Sequence, residues 1–336
     1  MPPRRRATTP TASWTTCWRP SRRRRWMRAR MPGSKKYLDP EIVARLRGLE
    51  LRSRGIMAGF ISGMHRSAYH GFSVEFAEHR QYAPGDDIRY VDWRIFGRQD
   101  RLHVKQYEEE TNLRCHLLVD ASRSMAYAGP AWRGWSKYDY AAGLAASLAY
   151  VLVSQQDAAG LITFDTAVRH KLPAASGKAH LANLVKILEQ TQPAAKTDVK
   201  ILFHRLAEEL RKRSMVVLIS DLLAPTDDVV SGIEHMCYAG HELIVMHVLD
   251  DDEWNFPFVD NLLFEGLEED ARLLADPQSL RASYRQAVQR FAARARAACL
   301  RHRADYVPVS TREPLDAVLC GYLAQRGGWH GGTRRS

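Results

Sequence analysis

Two short segments place acidic and hydroxyl side chains directly after apolar runs. Asp120, Ser122 and Ser124 follow one run in the string CHLLVDASRSM, and Asp221 follows another in the string MVVLISD. If both runs are neighbouring strands of a parallel sheet, their carboxyl ends meet where doubly wound proteins bind ligands. Oxygen donors of this kind suit Mg²⁺, with Mn²⁺ or Ca²⁺ as alternatives. The pattern therefore indicates a divalent-metal site.

A purely structural interpretation of these residues stays open. Asp and Ser after a strand commonly cap the next helix or form a turn. Thr197 lies in the loop before a helix predicted from Ile201, and Asp198 beside it is a candidate cap of that helix. Against this interpretation, two adjacent acids would repel each other, and a divalent cation would remove that repulsion.

The segments that must position these residues alternate between apolar runs and helical patterns from Arg114 onward. Near-continuous apolar runs that alternate with helices predict an α/β fold with a doubly wound, mainly parallel sheet covered on both faces. The predicted strands are CHLLVDAS, AAGLITFD, SMVVLISDL, HELIVMHVLD and DYVPVST, with VRHKLP at an edge. The predicted helices are 138–155, 178–190, 201–213, a helix ending at Gly240, 279–303 and 314–325.

The chain divides by composition into four parts. The composition of residues 1–30 predicts either a disordered basic tail or a mis-assigned start, with Met31 as the true initiator. Residues 31–113 predict a helix over 37–52 followed by an irregular, β-rich module that includes LHVKQYEEE as a strand. Residues 114–325 predict the α/β domain, with an insertion and hairpin over 251–276. Residues 326–336 predict a disordered tail.

The positive charge is confined to the first part of the chain. Residues 1–30 hold ten Arg and no Lys, Asp or Glu, which accounts for +10 of the formal net charge of +11. The remainder has 39 basic and 38 acidic groups. The body is therefore nearly neutral, and nucleic-acid binding could rest on the tail alone.

Cysteine spacing and hydropathy indicate a soluble protein of a reducing cytoplasm. The five cysteines are scattered without a C-x-x-C pair, which argues against a zinc or redox site. The longest apolar stretch runs over about 13 residues, whereas a membrane helix needs roughly 20.

A second group of residues, upstream of the α/β pattern, is a candidate recognition surface. A Pro-Gly-Asp turn signal is surrounded by acids, arginines and aromatic side chains, which include favoured anchors of protein interfaces. A solvated turn with local ion pairs is the alternative interpretation. The candidate partner-binding residues are Arg80, Tyr82, Asp86, Asp87, Arg89, Asp92 and Trp93.

Both groups of residues resemble known families. DASRSM, Thr197 and Asp221 are similar to the metal-ion-dependent adhesion site of von Willebrand factor A-like domains. That resemblance implies that Asp120, Ser122 and Ser124 form the first metal loop, with Thr197 in the second and Asp221 in the third. Leu222 departs from the pattern, because many adhesion-type domains have Gly there, and so does Lys196, which replaces a small residue.

The string YAPGDDIRYVDW is more specific and resembles the signature of the bacterial domain of unknown function 58 (DUF58) family. This resemblance covers roughly residues 40–325. Genes of that family often neighbour a MoxR-type AAA+ ATPase. The resemblance therefore implies an adaptor that works with such an ATPase, or with its client, in protein assembly or chaperoning.

The absence of common catalytic and nucleotide-binding motifs narrows the range of possible functions further. The sequence has no phosphate loop, dinucleotide fingerprint or nucleophile elbow. We therefore expect a metal-dependent protein-interaction module and no enzyme. Two alternatives stay open: a metal-dependent hydrolase of phosphate esters, and nucleic-acid binding through the Arg-rich tail.

Overall fold

A computed structural model provides the structure of the chain. It describes residues 18–20, 37–38, 74–83, 91–99, 102–109, 113–194, 203, 206, 210, 213–260, 262–266 and 272–329. These residues belong to two compact units, one within Met57–Asn112 and the other formed by the rest of the chain. Of the helix predicted over 37–52, only residues 37–38 are described, as a turn and a bend. Most of the helix predicted over 201–213 also lies outside the described residues, although Phe203 and Leu206 are helical.

The larger unit is built on a six-stranded sheet. Its strands are β4 (Arg114–Asp120), β5 (Ala158–Phe164), β6 (Val168–Ala175), β7 (Met215–Ser220), β8 (Glu242–Leu249) and β11 (Asp305–Ser310). Their order is β11-β8-β7-β4-β5-β6, and every neighbouring pair is parallel except β5 and β6. The predicted doubly wound, mainly parallel sheet is therefore confirmed, and β6 is the predicted edge strand.

Helices connect several of these strands in sequence, and a further helix follows the last strand. They are α2 (Lys137–Ser154), α3 (Lys178–Gln190), α4 (Thr226–Tyr238), α5 (Asp251–Asn255), α6 (Pro277–Arg301) and α7 (Leu315–Trp329). α2 packs beside α3 and α7, while α4 packs beside α6. The end of α7 reaches four residues into the segment whose composition predicts a disordered tail.

Burial of both sheet faces explains why the strands have continuous apolar runs. One face is covered by side chains from α4 and α6, including Val229, Ile233 and Phe291, which pack on Leu118 and Leu218. The other face is covered by α2, which contacts β4, β5, β7 and β8. Small residues on that helix let its backbone lie close to the sheet.

A second, smaller sheet lies in the same unit. The predicted hairpin is present as β9 (Leu262–Gly266) and β10 (Arg272–Ala275), and β1 (Trp18–Pro20) pairs with β9 from the other side. This short strand belongs to the segment that composition assigns to a disordered tail. The other residues of 1–30 lie outside the described part of the chain.

The described residues of the smaller unit include an antiparallel pair of strands and a helix. β2 (Val74–Gln81) pairs with β3 (His103–Glu109), which is the strand predicted in LHVKQYEEE. The helix is α1 (Trp93–Gln99). In the described residues of both units, no helix is long and apolar enough to cross a membrane.

Candidate functional site

The candidate site lies where the strand order reverses. β4 and β7 are adjacent and parallel at the centre of the sheet, while the strands that follow each of them lie on opposite sides. Ligands of doubly wound proteins bind outside the carboxyl ends of the strands at such a switch point. β4 ends at Asp120 and β7 ends at Ser220, so Asp120 and Asp221 meet there. We call this edge the rim site.

Asp120 is the most enclosed acid of the rim site, with a relative exposure of 0%. One carboxylate oxygen accepts the Ser122 backbone N–H at 2.8 Å, and the other accepts the Ser220 hydroxyl at 2.6 Å. Burial raises the pKa of Asp120 to about 7, and the nearby Asp221 charge adds to that rise, whereas the Ser220 and Ser122 hydrogen bonds oppose it.

The two serine hydroxyls of the first loop face each other. The hydroxyls of Ser122 and Ser124 are hydrogen-bonded to each other with their Oγ atoms 3.0 Å apart, and both side chains are buried. A one-turn 3₁₀ helix, Arg123–Ala126, keeps this loop tight. A hydrogen bond from Ser124 also favours the ionised form of Asp221. The first and third loops of the predicted site therefore do converge.

Asp221 is held by an ion pair that the sequence analysis missed. Its Oδ2 accepts the Lys137 ammonium at 2.7 Å, and its Oδ1 accepts the Leu223 backbone N–H at 3.1 Å. Burial favours the neutral acid, but Lys137 outweighs it and holds the pKa of Asp221 below its usual value.

Lys137 connects the rim site to the segment after β8. Its ammonium also donates to Glu253 Oε1 at 2.7 Å, and its side chain has no exposed surface. Glu253 belongs to the short helix α5, where its Oε2 accepts the Asp250 backbone N–H in a capping box. The predicted insertion therefore supplies a counter-ion to the centre of the domain.

Leu222 shows how the chain accommodates the departure from Gly in the third loop. Its backbone is left-handed, with φ at +52°, which is the conformation that Gly adopts without strain. Its side chain is 1% exposed and belongs to the apolar cluster that includes Leu118, Leu218 and Phe291. Burial of the leucine side chain therefore offsets a strained backbone.

Thr197 lies outside the described residues, as does Asp198. Ala194 is the last described residue before Thr197, and its N–H donates to Ala121 O at 3.2 Å. The chain that leads to Thr197 thus touches the first loop. Its role as a metal ligand stays a prediction.

The candidate partner-binding residues belong to the smaller unit and are described in part. Arg80 lies in β2, and the Tyr82 N–H bonds to Leu102 O just after that strand. Asp92 is buried and its carbonyl accepts the Ile95 and Phe96 N–H groups of α1, whereas Trp93 is 60% exposed. Asp86, Asp87 and Arg89 lie outside the described residues.

The oxygen donors at the rim fit a divalent cation. Two ligands at adjacent corners of a Mg²⁺ octahedron with bonds of ~2.1 Å lie about 3.0 Å apart. The two serine Oγ atoms have that separation, 3.0 Å, beside two buried carboxylates. Across the described ranges, no group of three or more His, Cys, Asp or Glu is arranged to hold a metal. A metal site here would therefore depend on hydroxyl oxygens.

Comparison with solved structures found partial overlaps. A conserved hypothetical protein BatB from Bacteroides thetaiotaomicron overlaps with a TM-score of 0.41 at 14% identity, covering 64% of this chain and 99% of that one. The SpRpn10 VWA domain overlaps with a TM-score of 0.34 at 14% identity, covering 62% of this chain and 94% of that one.

Comparison with curated sequences found relatives in mycobacteria. Uncharacterized proteins of Mycobacterium bovis and Mycobacterium tuberculosis are each 28% identical over 235 residues, which is 68% of this chain and 72% of theirs. The family described as "Protein of unknown function DUF58" matches residues 78–297, a range that includes the rim site and the candidate partner-binding residues. This chain therefore belongs to the DUF58 family.

Proposed function

We propose that this chain is a protein-interaction module whose rim site binds a divalent cation, Mg²⁺ first and Mn²⁺ or Ca²⁺ as alternatives. Asp120, Ser122 and Ser124 would hold the ion, with Asp221 and Thr197 assisting through water. When bound, the ion supplies a positive centre that an acidic side chain of a partner completes. The observation that carries the proposal is the pair of serine hydroxyls 3.0 Å apart beside Asp120.

Burial of the donors adds a kinetic expectation. Asp120, Ser122 and Ser124 each have a relative exposure of 0%. Neither a hydrated ion nor a partner carboxylate reaches them unless the rim opens locally. We therefore expect cation binding to be slower than diffusion, because its rate is limited by that opening.

The partner that we propose is a MoxR-type AAA+ ATPase or its client. The family resemblance supports this choice, and Trp93 and Phe96 give the smaller unit an exposed aromatic pair with ring centroids 6.1 Å apart. Exposed aromatic side chains are frequent anchors of protein interfaces. The proposal assigns no catalysis to the chain, so a screen of phosphate esters with Mg²⁺ should give no turnover.

Calorimetric titration of the full chain with Mg²⁺ and Mn²⁺ tests the cation site. We expect one site, and its loss in Asp120→Ala. Asp227→Ala is the matched control, because Asp227 is an exposed acid of α4 whose side chain pairs with Arg294. Absence of binding, or equal binding by wild type and the Asp120→Ala variant, would refute the proposal.

Capture of a purified MoxR-type ATPase tests the partner. We expect retention in Mg²⁺ and release in EDTA, with weaker retention by Trp93→Ala. Retention that EDTA leaves unchanged would argue against a metal-dependent contact. No retention in either buffer would argue against this class of partner.

A further inference from the structure

Lys137 is an unusual residue for its position. It is the first residue of α2, where the positive end of the helix macrodipole disfavours a cation. Its ammonium is also removed from water, which carries a large desolvation cost. Two carboxylates, each 2.7 Å away, compensate these costs. A lysine held so tightly in the rim site calls for a role there.

The bonds of Asp221 show what Lys137 does to the rim. One oxygen of Asp221 is engaged by the ammonium and the other by a backbone N–H. The bonds of Asp120 include those from the Ser220 hydroxyl and the Ser122 backbone N–H, which are neutral donors. The charge of Asp221 is therefore offset by a cation of the protein itself.

We propose that Lys137 determines what the rim site binds by withholding the Asp221 carboxylate from the metal ion. This inference rests on the proposed cation site. A divalent ion held by ionised Asp120 and two neutral hydroxyls retains a charge of about +1, so it attracts an anionic ligand. If Asp221 bound the ion as well, the two carboxylates together would neutralise the charge of the ion. Lys137 thereby makes the site selective for a partner that brings a carboxylate.

Glu253 is the positioning residue of this arrangement. It accepts Lys137 through one carboxylate oxygen and the Asp250 N–H through the other. The Asp250 carboxylate in turn accepts the Thr311 hydroxyl at 2.9 Å and the Gly129 N–H at 3.1 Å. These bonds fix Lys137 between the third loop and the start of α5, so that it stays on Asp221.

Two double variants of the full chain separate the roles of Asp221 and Glu253 at constant charge. In wild type, the four charged groups Asp120, Asp221, Glu253 and Lys137 have formal charges that sum to −3 and +1, which is −2. Lys137→Met with Glu253→Gln leaves Asp120 and Asp221, again −2. Lys137→Met with Asp221→Asn leaves Asp120 and Glu253, again −2. Only the first variant frees Asp221.

Mn²⁺ affinity is the first readout. We expect K137M/E253Q to bind Mn²⁺ at least about tenfold more tightly than wild type, because a second carboxylate becomes available to the ion. We expect K137M/D221N to stay within about threefold of wild type, since Asp221 is not a direct ligand there. If K137M/E253Q fails to fold, K137M/D221N still tests the inference. Clearly weaker Mn²⁺ binding by that variant would mean that Asp221 is a direct ligand in wild type, which would overturn the inference.

Acetate is the second readout, as a probe for the carboxylate of a partner. Displacement of metal-bound water by acetate in the Mn²⁺-loaded protein is followed by water-proton relaxation. We expect acetate to displace water in wild type and in K137M/D221N, and to do so about tenfold more weakly in K137M/E253Q. Equal acetate affinity in all three proteins would overturn the selectivity role of Lys137.

The outcomes distinguish this inference from the proposed function. Equal Mn²⁺ affinity in wild type and K137M/E253Q overturns the inference and leaves the cation site standing. No Mn²⁺ binding by any of the proteins overturns both. Binding by K137M/E253Q alone supports Lys137 as the group that withholds Asp221, and overturns metal dependence of the wild-type protein.

Discussion

The Ser220 hydroxyl donates a hydrogen bond of 2.6 Å to the Asp120 carboxylate, across the two strands at which the sheet order reverses. One hundred residues separate the two side chains in sequence. Ser220 also accepts the Leu222 backbone N–H at 2.9 Å. A single hydroxyl thus connects the first loop of the rim site to the third.

Ser220→Ala should destabilise the protein by about 1–3 kcal/mol, because a buried carboxylate loses a donor and a backbone N–H loses its acceptor. The measurement is urea unfolding in EDTA, so that no metal contributes. Ser283→Ala is the control, since that exposed hydroxyl bonds only within the first turns of α6. A Ser220→Ala loss no larger than that of the control would mean that the bond contributes nothing to stability.

Lys137→Met should cost about 3–5 kcal/mol, because it leaves two carboxylates buried without their ammonium. The triple variant K137M/D221N/E253Q should recover most of that loss, since buried ion pairs replaced as a unit by neutral side chains are often no less stable. Unfolding in EDTA measures both. If the triple variant were as unstable as Lys137→Met, the packing of the lysine stem, rather than its charge, would account for the loss.

The sequence predicts the convergence of Asp120 and Asp221 for a simple reason. Each follows an apolar run long enough for a buried strand, and parallel strands place their carboxyl ends at one edge of the sheet. The two strands are neighbours, and the expected loops meet. Local pattern and the chirality of strand connections are sufficient for this part of the site.

The ion pair of Lys137 could not be predicted in the same way. Its partners lie 84 and 116 residues away, and Glu253 falls in a segment whose composition suggests an insertion. One signal was present: a lysine at the start of a helix rich in small apolar residues, where the macrodipole disfavours it. That signal indicates a nearby acid, but the identity of the acid depends on tertiary packing.

At most helix and strand positions an alanine variant is more stable than a glycine variant. We expect the opposite order of stability for Leu222→Gly and Leu222→Ala. Both lose the packing of a buried leucine, which costs about 2–5 kcal/mol. Glycine adopts the left-handed backbone freely, whereas alanine retains a strain of about 1–2 kcal/mol. We therefore expect the glycine variant to be the more stable of the two in urea unfolding, although both are less stable than wild type. A more stable alanine variant would show that the backbone at Leu222 relaxes when its side chain is removed.

Asp252 should make stability fall as pH rises through the mildly acidic range. Burial raises the pKa of its carboxyl to about 6, with the acids Asp250, Asp251 and Glu253 adding to the rise and the Tyr127 hydroxyl, 2.7 Å away, opposing it. A raised folded-state pKa means that the native state binds this proton more tightly than the unfolded chain. The contribution to stability is complete below pH ~4, the pKa of an unperturbed Asp, and is lost as pH approaches 6.

Asp252→Asn removes this titration and keeps an oxygen that can accept the Tyr127 hydroxyl. We expect the free energy of unfolding of the variant, relative to wild type, to increase between pH 4 and pH 6 and then to level off. Tyr127→Phe is the opposite control, because removal of the donor to Asp252 makes ionisation more costly and lowers stability above pH 6. Urea unfolding at half-unit pH steps measures all three proteins. A difference between Asp252→Asn and wild type that did not change across this range would mean that Asp252 ionises in the native state as it does in the unfolded chain.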